Sequence, residues 1–158
     1  MTVFEITNGQ DADTLNSVLS IMKPSIHALS TLPADPIILD TPAINFDVSG
    51  IALSFLPRDD AYLNLRAEMW DNVVQGAGFK VNMRYAFPSA HITVGRFVDG
   101  GLGMSRGSWI ELLEKLRGEV AQWEGEWHLD GLELRAGKSW YGGGITVNSL
   151  NVDTIAPF

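Results

Sequence analysis

Read from its start, the chain alternates, then repeats every three to four residues, then alternates again. At residues 1–7, Thr2, Phe4 and Ile6 face one way and Val3 and Glu5 the other, which predicts a strand. Asp11 or Asp13 then supplies a cap for a helix carrying Leu15, Val18, Leu19 and Met22 on one face, and Pro24 ends it. Residues 25–42 hold Pro33, Pro36 and Pro42 and read as loop, with a short strand at 37–39. Ile44, Phe46 and Val48 alternate with polar neighbours, and beyond Gly50 the residues Ile51, Leu53 and Phe55 share a face. Together these predict strands of an antiparallel sheet.

Asp59 or Asp60 caps the next helix, whose apolar side is Tyr62, Leu65, Met69 and Val73, flanked by Trp70 and Val74, with Gly76 or Gly78 as its stop. Residues 79–85 and 90–97 read as strands. Ser108 and Glu111 have capping-box spacing and open a helix carrying Trp109, Leu112, Leu113, Leu116, Val120 and Trp123. Residues 127–135 and 144–147 complete the set as strands. The order has no strict βαβ rhythm and no glycine-rich phosphate loop, so the expected class is α+β and not a doubly wound nucleotide fold.

Composition narrows the function. A chain of 158 residues fits one domain, or two small lobes sharing a core. The absence of cysteine excludes disulfides, thiolate catalysis and Cys-ligated zinc. No apolar run is long enough to cross a membrane, and residues 1–30 lack the marks of a secretory signal, so an intracellular, cytoplasmic place is expected. The net charge of −8 argues against coating long DNA. Between residues 80 and 99, however, Lys80, Arg84 and Arg96 stand against the single acid Asp99. That excess suits a compact anion, or is ordinary surface scatter. Asp59, Asp60, Glu111 and Glu114 read as caps or solvated helix faces, with no pair set for glycosidase chemistry.

Of the three histidines, His27 and His128 have contexts that suit incidental roles. His91 stands in Pro88-Ser89-Ala90-His91-Ile92-Thr93-Val94-Gly95-Arg96-Phe97. Residues two apart in a strand share a face, so Ala90, Ile92 and Val94 are expected to bury one side while His91 and Thr93 stand together on the other. An imidazole beside a hydroxyl can move a proton and hold a phosphoryl oxygen in one pose. Ser89 shares that parity and is a candidate hydrogen-bond donor. Strict alternation puts Arg96 on the opposite face, so a phosphate-binding role for it needs a bulge or twist at Gly95. Trp140 and Tyr141, before three glycines, could stack a nucleobase or fill core.

The segment 85–97 resembles the second His-x-Thr motif of the two-histidine (2H) phosphoesterases, closest to the fungal RNA ligase/cyclic nucleotide phosphodiesterase-like branch. Asn45–Pro57, especially Ile51-Ala52-Leu53-Ser54-Phe55, is similar to the strand pair that family places before its long helix. Arg135-Ala136-Gly137 with Trp140-Tyr141-Gly142-Gly143-Gly144 resembles the branch's C-terminal signature, and residues 1–7 resemble the strand of its first motif. The likeness runs from Met1 to about Val147.

The resemblance implies a single bilobal domain over residues 1–158: two pseudo-symmetric lobes of antiparallel strands around a central cleft, with helices outside. It implies opening of a 2′,3′-cyclic phosphate on a nucleotide or RNA end. His91, Thr93 and Thr2 would be catalytic; Ser89, Arg96, Trp140 and Tyr141 would bind substrate. It calls for no metal and no cofactor, and no membrane or protein partner is evident. Matching the first motif puts Thr2 at its threonine, so that motif's histidine falls immediately before Met1. Either it is supplied upstream, naturally or by chance, or the fold survives as a nucleotide-binding or interaction domain with impaired catalysis.

Overall fold

The computed structural model describes residues 1–29, 31, 36–75, 78, 80–81, 83, 89–98, 103–137 and 143–148. It is α+β with antiparallel strands, as the patterning predicts. The chain clusters into two compact units interleaved in sequence. One comprises Met1–Val3, Pro36–Tyr62 and Phe87–His128; the other comprises Phe4–Asp35, Leu63–Ala86 and Leu129–Phe158.

The first unit is built on strands β1 (Ile37–Phe46), β2 (Gly50–Pro57), β3 (Ala90–Arg96) and β4 (Trp127–Leu129), in the order β3-β2-β1-β4. The single strand β1 replaces the two runs and intervening loop expected from the sequence. It absorbs Pro42 by a bulge between Asp40 and Ala43, where Thr41 takes a positive φ of 45°. A bulge is one of the few places in a sheet that tolerates a residue without an N–H. The strand stops at Phe46 because Asp47 turns the chain: its Oδ1 accepts from Ser49 N and Ser49 Oγ, both at 2.7 Å, and from Gly50 N at 3.1 Å. Val48, expected to be a strand residue, stands at the tip of that turn and is 99% exposed.

Helix α4 (Arg106–Val120) covers one face of this sheet. Its cap is Ser105, whose Oγ accepts from Ser108 N at 3.1 Å, so the helix begins three residues before the expected start and Ser108 lies inside it. The packing is aromatic and edge-to-face: Phe46 and Phe97 against Trp109, and Phe55 against Trp123 and Trp127. Such pairs add roughly 0.5–1.5 kcal/mol each beyond the area they bury.

The second unit holds α1 (Ala12–Met22), capped by Asp11, whose carboxylate accepts from Thr14 N at 2.8 Å. Pro24 does not end the helical path. It sits in a 3-10 turn (Lys23–Ser25) that leads into the short helix α2 (Ile26–Leu29), where residues 26–29 were expected to be loop. Most of helix α3 (Ala61–Trp70) lies here, with Leu65 and Met69 buried along the expected face, and Val73 continues that face from the π-helical turn Asp71–Gln75 that follows. The run expected over 127–135 is split: its first part is β4, while β5 (Leu134–Ala136) pairs antiparallel with β6 (Ile145–Val147). Ala136 and Val147 form a core with Leu19 and Ile26, against which Leu134 packs.

Residues 1–10 are not a strand. Phe4 is held edge-on to the Trp70 ring at 6.4 Å, with the Arg66 guanidinium 5.8 Å above its own ring, so its apolar surface is satisfied without sheet pairing. The expected strand over 79–85 lies largely outside the described residues, as does the stop at Gly76. Among the described residues no helix is long and apolar enough to cross a membrane.

Candidate active site

Directly opposed residues in an antiparallel pair project to the same face, so the register sorts the side chains. Ser54 lies opposite His91 and Ala52 opposite Thr93, whereas Phe55 lies opposite Ala90 and Leu53 opposite Ile92. Phe55 is the ring that meets Trp123 and Trp127, so His91 and Thr93 stand on the face away from those indoles. On β1 the same face carries Ala43 and Asn45, opposite Ser54 and Ala52. Two rows result across three strands: His91, Ser54 and Ala43, then Thr93, Ala52 and Asn45.

The alternation expected of β3 breaks at Val94. Thr93 pairs with Ala52 and Gly95 with Ile51, leaving Val94 as an extra residue that is exposed instead of buried. This bulge turns the strand over, so Arg96 lies opposite Gly50, on the face of His91. A Cβ built on Gly50 would lie 3.3 Å from Arg96 Cδ, and one on Gly95 would lie 3.3 Å from Ile51 Cγ2, in accord with that assignment. Yet Arg96 is not brought to His91. Their partners Gly50 and Ser54 are four positions apart on β2, about 13 Å at the usual rise. Arg96 Nη1 instead donates to Ser49 Oγ at 2.9 Å. Hydrogen bonds from Ser49, first its hydroxyl and then its amide, hold the Asp47 carboxyl below its ordinary value, and the charge of Arg96 adds to the effect. Arg96 is thus a brace for the β1–β2 turn.

Ser89, just before β3, meets His91 itself. Its Oγ lies 2.9 Å from His91 Nδ1. Its carbonyl accepts from the hydroxyl of Tyr62, a fully buried ring, at 3.3 Å. A serine hydroxyl donates to a bare Nδ1 or accepts from a protonated one, so this contact suits either ring tautomer.

At the other end of the sheet Arg58 bridges Asp40 (Nε to Oδ2, 3.2 Å) and Glu126, whose second oxygen lies 3.1 Å from His128 Nε2. Hydrogen bonds from Arg58, then from His128, hold Glu126 below the ordinary carboxylate value. His27 is exposed on α2. Thr2 is exposed in irregular backbone and clusters with the unit that holds His91 and Thr93. Trp140 and Tyr141 lie outside the described residues. Among the described residues no group of three or more His, Asp or Glu side chains is placed to hold a metal ion.

Ser54 and Asn45 are the residues the sequence did not single out. The signal was present, since each is polar between two apolar neighbours, but the register that sets them beside His91 and Thr93 is non-local.

No protein-family model, curated protein or solved structure matches the chain.

Proposed function

We propose that this chain acts on a 2′,3′-cyclic phosphate of a nucleotide or RNA end by metal-independent acid–base chemistry, with His91 and Thr93 as one half of a two-histidine phosphoesterase site. The observation that carries the reading is the arrangement of His91. Its Nδ1 is engaged by Ser89 Oγ at 2.9 Å, and Thr93 stands on the same face of the strand. An imidazole whose ring is oriented by a hydrogen bond can transfer a proton, and the neighbouring hydroxyl suits a phosphoryl oxygen.

In the reaction, water adds to phosphorus and the bond from phosphorus to one ribose oxygen breaks. One group takes the proton of the water and another gives a proton to the leaving oxygen. His91 serves one of these roles. In the family pattern the other role belongs to the first-motif histidine, whose position falls immediately before Met1, beside Thr2.

The test is turnover of the four 2′,3′-cyclic mononucleotides by two forms, one starting at Met1 and one with a histidine placed before it. The second should run at least roughly 10²-fold faster, the share of one general acid or base. His91→Ala in that form should remove the gain, because the two groups act as a unit. Turnover that survives without His91 defeats the reading. Nucleotide binding that depends on His91, with no turnover by either form, assigns the chain instead to binding without catalysis.

A further inference from the structure

We infer that Ser54 and Asn45 extend the site across the sheet. Ser54 donates a hydrogen bond to a phosphoryl oxygen beside His91 and Thr93, and Asn45 meets the nucleoside. The inference rests on the reading of the site as one for a ribose cyclic phosphate.

Position comes first. Ser54 is directly opposite His91, and opposed side chains start about 4.5–5.5 Å apart. It is diagonal to Thr93, so three groups able to touch one phosphate surround a single spot on the sheet. β2 lies between β1 and β3, which fixes the Ser54 backbone on both sides. Asn45 lies in the row of Thr93 but two strands away, about 10 Å. That separation matches the span from a ribose phosphate to the far side of its nucleoside, and a carboxamide offers both a donor and an acceptor there. Ala52 and Ala43, whose side chains are single methyl groups, complete the two rows.

Commitment of the hydroxyls comes second. In the first unit Thr41, Ser49, Ser89, Ser105 and Ser108 all use their hydroxyls in side-chain hydrogen bonds. Among the described residues no side-chain hydrogen bond engages Ser54 or Thr93, the half-buried pair on the face of His91. Of the arginines toward the two ends of the face, Arg58 is tied to the carboxylates of Asp40 and Glu126, and Arg96 to the hydroxyl of Ser49, which itself donates to Asp47. Recognition of phosphate in the middle therefore falls to neutral donors, whose hydrogen bonds to a charged group are the stronger kind.

The experiment titrates isotope-labelled full chain with two probes, inorganic phosphate and a nucleoside 2′-monophosphate of each base, following the amide signals of residues 89–96. Ser54→Ala should weaken both probes by roughly tenfold, and Ser54→Thr should recover most of that loss. Asn45→Ala should weaken the nucleotide and leave inorganic phosphate unchanged. If Ser54→Ala binds both probes as the parent does while His91→Ala abolishes binding, the inference fails and the functional reading stands. If neither probe moves His91 or Thr93 in the parent, the functional reading fails and takes the inference with it. Equal loss of both probes in both variants contradicts the division of labour and also overturns the inference.

Discussion

The hydroxyl of Ser89 and Nδ1 of His91 lie 2.9 Å apart, two residues from each other along the chain. Because the partner is a hydroxyl and not a carboxylate, it does not choose the tautomer; it permits both. Ser89→Ala should therefore remove the hydrogen bond at Nδ1 and loosen the ring's orientation, visible in the imidazole nitrogen signals of His91. In the form with a histidine before Met1, kcat should fall roughly three- to tenfold, the worth of one net hydrogen bond. Unchanged nitrogen signals would show that Ser89 does not orient the ring.

Stability and site should separate. Leu39 is fully buried on β1, so Leu39→Ala should cost about 2–5 kcal/mol in urea unfolding. His91 is half-buried on the polar face, and His91→Ala should stay within about 1 kcal/mol of the parent. A large loss for His91→Ala would mark it as a core residue.

Gly50 is held to glycine by its surroundings: an added Cβ would collide with Gly95 O. Gly50→Ala should destabilise by about 1–3 kcal/mol and loosen the Arg96–Ser49 bond, since the backbone of β3 has to move away. An alanine variant as stable as the parent would contradict the register at this end of the sheet.

The acid limb of stability should depend on Arg58. Glu126 is held below its ordinary value of 4.5 by hydrogen bonds from Arg58 and then His128. A carboxylate lowered in the folded state adds stability that is present above the unfolded value and lost as pH falls through the folded one. The parent should thus lose melting temperature below about pH 4.5, and Arg58→Met should lose less of it over that range, having less to lose. Parallel curves for the two proteins would remove Arg58 from the account.

Local patterns were legible wherever a local cause decided the outcome. The burial of Tyr62, Leu65, Met69 and Val73 follows from helical spacing, and the shared face of His91 and Thr93 follows from strand parity. What escaped depends on partners distant in sequence. The orientation of Arg96 is set by a bulge that only pairing with Ile51 and Ala52 reveals. Thr2, Phe4 and Ile6 alternate like a strand, but Trp70 and Arg66 supply what Phe4 needs. Ser105 and Ser108 are both good caps by type, and the one farther from the apolar run takes the role. The polar row of Asn45 and Ser54 was readable as a pattern, and its meaning came from the histidine across the sheet.

The extra residue at Val94 also bears on how the protein keeps to itself. Among the described strands β3 is at the edge of its sheet, where a regular row of amides would invite another chain to add on. The bulge interrupts that row and bends the strand, so a flat incoming segment cannot match it along its whole length. Deleting Val94 would straighten the edge and, in the same stroke, carry Arg96 to the opposite face and away from Ser49. One inserted residue thus ties resistance to strand-by-strand aggregation to the bracing of the neighbouring turn, and a lineage could not shed one without disturbing the other.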